Sequence, residues 1–99
     1  MSLYGMVPAW RKVPTNLYEV VYVSDRISSM DDDAIVSDIV YPASRRNREL
    51  EITGCLWFDA KRFLQILEGP EDSVKTVYDA ICRDTRHVNV RTLSSHSIP

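Results

Sequence analysis

The sequence is short of several residue types, and each shortage excludes something. Three glycines and five prolines in 99 residues exclude collagen-like and low-complexity chains. Two cysteines, Cys55 and Cys82, are too few for a disulfide scaffold and fit no metal-ligand spacing. Both are expected to be core thiols of a reduced, cytoplasmic protein. His87 and His96 lack the Cys or carboxylate neighbours of a metal site, so no metal is expected. No run of Lys and Arg is present and the net charge is −2, which speaks against a nucleic-acid partner. No apolar stretch reaches the length of a membrane span, and the N-terminus has no signal-peptide core. A glycine-rich phosphate loop, a nucleophile elbow and a facing pair of carboxylates are all missing, so the chain is not expected to be an enzyme.

What is present is an ordinary globular composition, 44% hydrophobic and 26% charged, of a length that suits one domain. Residues 1–16 carry Pro8 and Pro14 and show no helical or strand period; they are expected to form an N-terminal extension, with Met1–Leu3 resembling a cloning remnant. The domain proper spans 17–99. Its first strand is expected over Leu17–Ser24, with Tyr18, Val20, Tyr22 and Ser24 on one face. Ser28 or Ser29 can cap a helix whose first turn holds Asp31, Asp32 and Asp33, and Ile35, Val36, Ile39, Val40 and Ala43 give it an apolar stripe. Pro42 cannot donate to the Asp38 carbonyl and is expected to kink or end that helix.

Ile52–Phe58 and Arg62–Glu68 read as two strands joined by the tight turn Asp59-Ala60-Lys61. Asp72 or Ser73 can cap a second helix carrying Val74, Val77, Tyr78, Ile81 and Cys82 at helical spacing. Val88–Leu93 is the last expected strand, and Ser94–Pro99 reads as a polar tail. The order βαββαβ predicts a ferredoxin-like α+β sandwich, an antiparallel-rich sheet with both helices on one face.

Gln65 is the most informative residue. It sits mid-strand between Phe63 and Leu67 on their shared face, where a buried carboxamide without partners costs on the order of a few kcal/mol. A backbone group or a side chain such as Tyr22 can satisfy it, or a polar-edged ligand can. Tyr22 on its own reads as packing with a hydroxyl at the rim, and Asn47 as a helix stop. Taken together, two amides and a phenol suit the heteroatom edge of a flat aromatic ligand.

These residues resemble the BLUF family, sensors of blue light that use flavin adenine dinucleotide (FAD). The likeness runs through Leu17–Ser24 (LYEVVYVS), Asn47, Ile52-Thr53-Gly54, Phe63–Gly69 (FLQILEG) and Asp84-Thr85-Arg86-His87. The resemblance implies the same ferredoxin-like fold, with FAD held non-covalently between the helices. It implies that Tyr22 is the electron donor to the photoexcited flavin and that Gln65 bridges this tyrosine to the ring. Asn47 would bind the ring's carbonyl region, Ile39 and Phe63 would wall it, and Arg46 would lie beside its polar edge. Asp84, Arg86 and His87 match further positions near the second helix, expected to contact the cofactor. The output would be a changed contact with a downstream signalling protein, with a homo-oligomer expected from an uncovered sheet edge.

The sequence departs from the family pattern at Pro42, at Ala80, where some relatives carry a polar residue, and at its end, since Pro99 comes before a further strand that family members carry. A flavin-free interaction or oligomerisation module of the same ancestry is the alternative. A small acyl-phosphate hydrolase is disfavoured because Ser24-Asp25-Arg26 lacks glycines to cradle a phosphate.

Overall fold

A computed structural model describes residues 2–3, 16–27 and 29–98. The strands are β1 (Ser2–Leu3), β2 (Leu17–Arg26), β3 (Thr53–Phe58), β4 (Arg62–Pro70) and β5 (His87–Ile98). They form one antiparallel sheet in the order β1-β3-β4-β2-β5. The β3–β4 hairpin closes as expected: Asp59 folds its carboxylate back onto the amides of Lys61 and Arg62, both at 2.8 Å.

The first helix runs over residues 32–49 in three parts: α1 (Asp32–Ile35), a π-helical stretch (Val36–Val40) and α2 (Tyr41–Glu49). Asp31, and not Ser28 or Ser29, caps it, accepting from the Ala34 amide at 2.8 Å. Pro42 neither ends the helix nor sits inside a regular α turn. It enters at the start of α2, after a widened turn in which the Tyr41 amide reaches back to Val36. The second helix, α3 (Glu71–Arg83), begins directly after Pro70 without a side-chain cap, so neither Asp72 nor Ser73 plays the expected part. The Glu71 amide instead bonds the Asn16 carbonyl at 3.0 Å, which fixes the helix start against the entry to β2.

Strand alternation decides the core. Val20, Tyr22 and Ser24 of β2, and Phe63 and Leu67 of β4, turn one buried face toward both helices. Val20, Tyr22, Ile52 and Leu67 pack with Val74 and Val77 of α3, while Leu56 and Phe63 pack with Ile35 and Val40 of the first helix. Two core clusters therefore lie side by side on one face of the sheet, which is the ferredoxin-like α+β arrangement.

Two expectations are corrected. Ser94–Ile98 is not a tail: β5 stays paired with β2 as far as Leu17↔Ile98, and the Ser95 hydroxyl meets Tyr18 Oη. Within the N-terminal extension Ser2 and Leu3 pair with Leu56 and Cys55 of β3; residues 4–15 lie outside the described residues. Cys82 is exposed and Cys55 half-buried, so neither is a core thiol. Cys82 follows the apolar stripe of α3 but lies at its exposed margin, beside Tyr78.

Candidate functional site

The two core clusters do not meet completely. Between them lies a cavity of about 350 Å³. Its sheet wall is Tyr22, Leu56, Phe63 and Gln65; the first helix supplies Ile39, Pro42, Ala43 and Arg46; Ile81, Asp84, Arg86 and His87 close the remaining side. Of the nine residues expected at a cofactor site, the structure brings eight to this cavity. Asn47 is buried beside it and lines a small adjoining void shared with Ala43, Leu56 and Gln65.

Tyr22 and Gln65 are direct partners across β2 and β4, so both side chains leave the sheet on the same face at the same height. The Tyr22 hydroxyl donates to Gln65 Oε1. Tyr22 is only 4% exposed, and burial holds its phenol well above the ordinary tyrosine range, with Tyr78 adding to the effect. The phenol therefore stays protonated and acts as a donor. The Tyr78 ring lies beside it at 5.3 Å between centroids. Among the described residues no partner is recorded for Gln65 Nε2, so one end of this carboxamide is engaged and the other is left to whatever occupies the cavity.

The cationic side is built locally. Arg46 and Asn47 leave the last turns of α2 together, and Asn47 Oδ1 accepts from Arg46 Nε and Nη2 at 3.4 and 3.2 Å. Desolvation destabilises the charged form of Arg46, and the nearby Arg86 adds to this. Asp84 grips Arg86 in a fork, with Nε at 2.9 Å from Oδ1 and Nη2 at 2.5 Å from Oδ2, and this bond holds the Asp84 carboxyl below the usual range. Another Arg86 nitrogen, Nη1, donates to the Asp38 carbonyl at 2.9 Å.

His87 is pinned at both nitrogens, Nε2 to the Ile81 carbonyl and Nδ1 to the Ser24 hydroxyl, each at 2.7 Å. A carbonyl only accepts, so Nε2 carries a hydrogen, and in the neutral ring Nδ1 accepts from Ser24. His87 thus presents ring edge to the cavity, between Tyr22 and Phe63, each 6.3 Å away between centroids. Ser24 escaped the sequence reading as a site-supporting residue, although its place two residues after Tyr22 on the same face was the available signal. Leu56, Pro42, Ala43 and Ile81 also line the cavity, although none of them was expected there.

Aromatic and aliphatic walls with polar groups gathered along an edge suit a flat heteroaromatic ring system. About 350 Å³ accommodates such a ring but not a whole dinucleotide, whose remainder would extend from the mouth. The family model for sensors of blue light using FAD matches residues 17–99. The chain belongs to the BLUF family. This BLUF domain is 45% identical over 62 residues to the blue light- and temperature-regulated antirepressor BluF of Escherichia coli K12, a match covering 61% of this chain and 15% of that protein. It is 38% identical over 79 residues to the photoactivated adenylate cyclase subunit beta of Euglena gracilis, covering 80% of this chain and 9% of that one. The solved structure of BlsA in its photo-activated state superposes with a TM-score of 0.77 at 30% identity, over 83% of this chain and 59% of that one. The chain thus spans less than a fifth of the length of these curated relatives. A BLUF domain is a flavin-based light-sensing module; catalysis, where relatives have it, is named for proteins of which it forms a small part. No helix among the described residues is long and apolar enough to cross a membrane.

Proposed function

We propose that this BLUF domain binds FAD non-covalently in the cavity between its helices and that Tyr22 and Gln65 form its light-responsive switch. The observation that carries the reading is the Tyr22–Gln65 hydrogen bond, with the free end of the carboxamide at the cavity. FAD, when bound, supplies blue-light absorption and an excited state that accepts an electron. Ile39 and Phe63 wall its ring, Arg46 and Asn47 serve the polar edge, and Asp84, Arg86 and His87 close the side nearest α3.

Tyr22 is suited to give up an electron and then its phenolic proton, because its hydroxyl already points that proton at Gln65 Oε1. Gln65 is suited to register the event. Its two ends are nearly isosteric but opposite in hydrogen-bond sense, so a half-turn of the carboxamide reverses what it offers on both sides. In a buried network such an exchange carries weight. Gln65 stands on β4, which is bonded to both β2 and β3, so the change reaches the centre of the sheet.

The output passes to an effector. Relatives named as an antirepressor and as an adenylate cyclase subunit support two kinds of effector, a repressor and an adenylate cyclase, with no direct nucleic-acid contact by this domain. The domain itself makes no product, and the cytoplasm is its proposed setting.

The test is an absorption spectrum of the purified protein with FAD, in the dark and after blue light. A structured flavin band that shifts reversibly to the red supports the reading, and Gln65→Leu is expected to keep the band and lose the shift. A Gln65→Leu protein that responds normally refutes the switch; absence of any band with excess FAD refutes the cofactor.

A further inference from the structure

Pro42 and Arg86 stand on facing walls of the cavity. Pro42 has no amide hydrogen, so the Asp38 carbonyl, four residues earlier, loses the donor that a regular helix would give it. The chain widens here into the π-helical stretch Val36–Val40, and the Asp38 carbonyl accepts from Arg86 Nη1 at 2.9 Å. Among the described residues this is the only hydrogen bond joining the first helix to residues 84–87.

The base of Arg86 has little freedom. Asp84 holds two of its guanidinium nitrogens, and the next residue, His87, is fixed to β2 through Ser24 and to α3 through the Ile81 carbonyl. The wall that can yield is therefore the cavity-facing side of the widened helix turn, where the Arg86–Asp38 bond adds a polar tie to the core packing of Ile35 and Val40.

We infer that Arg86 is a strap: it holds the proline-widened wall against the α3–β5 turn and so sets how fast a ligand leaves the cavity. The part concerning ligand release rests on the flavin reading above; the part concerning the helix wall does not. The sequence origin of the strap is the pairing of Pro42 with Arg86, one removing a donor from the Asp38 carbonyl and the other supplying it from 48 residues beyond Asp38.

The experiment uses the full chain and two readouts. Amide hydrogen exchange follows residues 36–43 without flavin, and the rise of flavin fluorescence on dilution follows FAD release. A charge-assisted bond at an exposed site predicts about fivefold faster exchange in this segment and about fivefold faster FAD release for Arg86→Ala, with α3 unaffected. Arg86→Lys is expected to behave like Arg86→Ala, because one ammonium cannot hold the Asp84 fork and the Asp38 carbonyl together. Pro42→Ala restores an amide hydrogen that competes for that carbonyl, and in this background the effect of Arg86→Ala should shrink to about twofold or less.

Overturning results are equally definite. The strap is refuted if Arg86→Ala leaves either rate at the wild-type value, if lysine restores both rates, or if exchange rises alike in every element. If the wild-type protein takes up no FAD, the cofactor reading fails, and the exchange arm decides the helix restraint by itself.

Discussion

The Tyr22–Gln65 bond makes a quantitative prediction that needs no light. Tyr22→Phe deletes one hydroxyl from a residue that is 4% exposed and leaves Gln65 Oε1 without its donor. A part-buried acceptor left unpaired costs about 1–2 kcal/mol. Gln65→Leu does the converse, stranding the Tyr22 hydroxyl at a cost of similar size, about 1–2 kcal/mol. The double variant has neither group to strand, so it should lose far less than the sum. The expected coupling is about 1–2 kcal/mol. For a chain of this length each single variant should melt roughly 5–15 °C lower, with the double variant only a few degrees below wild type. Thermal and urea unfolding of the flavin-free protein, followed by circular dichroism, give the cycle; unchanged urea slopes would show that the unfolded state has not moved.

A second arm of the same prediction is alkaline. The folded phenol of Tyr22 is held above its ordinary range, while in the unfolded chain it ionises near pH 10. The fold therefore loses stability as the pH rises beyond about 10, and Tyr22→Phe should remove that contribution. Strictly additive losses in the double variant, or an unaltered alkaline slope in Tyr22→Phe, would refute the account of this pair.

Other expectations follow from single features. A Cβ on Gly54 would lie 1.9 Å from the Ile66 carbonyl oxygen, across the β3–β4 ladder, so Gly54→Ala should destabilise the fold by about 2–3 kcal/mol in urea unfolding. Leu67, fully buried beneath α3, should cost about 3 kcal/mol when cut to alanine, again read by urea unfolding. Asp84, held low by Arg86, contributes stability that is present above its unfolded pKa and lost as the pH falls through its lowered folded value. Asp84→Asn should therefore flatten the acid side of a melting profile below about pH 4. Glu68 has the opposite sign. Its bond to Glu19 and burial raise its pKa, so its contribution is present in acid and lost as the pH rises through the raised value. Glu68→Gln should raise the melting temperature at pH 7 and weaken the pH dependence above about 4.5.

The parts of this molecule that were legible beforehand are those written in short periods. Alternation placed Tyr22, Ser24, Phe63, Gln65 and Leu67 on the face that the structure buries or half-buries, and the hairpin turn at Asp59 follows from local chemistry. Eight cavity residues were readable because a family motif carries them in order. What escaped depends on partners distant in the chain. Ser94–Ile98 has no apolar alternation and became strand because β2 offers it an edge, with Tyr18 bonding Ser95. Pro42 announced an irregularity, but its form, a π-helical turn relieved by Arg86, could not be read from the helix alone. The cap at Asp31 was hidden by two serines with equal local claims. Cys82 illustrates the limit of a helical stripe, which gives an angle around the axis but not how much of its margin stays exposed.

The position of β2 also governs how the domain can come into being. It is the first long strand of the chain, yet both of its neighbours are made later: β4 begins at Arg62 and β5 ends at Ile98. Until residues 87–98 have left the ribosome, one whole side of β2 has nothing to pair with, and Tyr18 and Ser24 wait for Ser95 and His87. Closing contacts over such separations is slow compared with helix formation. Assembly of the sheet is therefore expected to wait for β5, with α3 and the β3–β4 hairpin preceding its docking. A light sensor built this way has its central cavity incomplete until His87 and β5 are in place, so under the proposed function flavin capture should coincide with the docking of that strand.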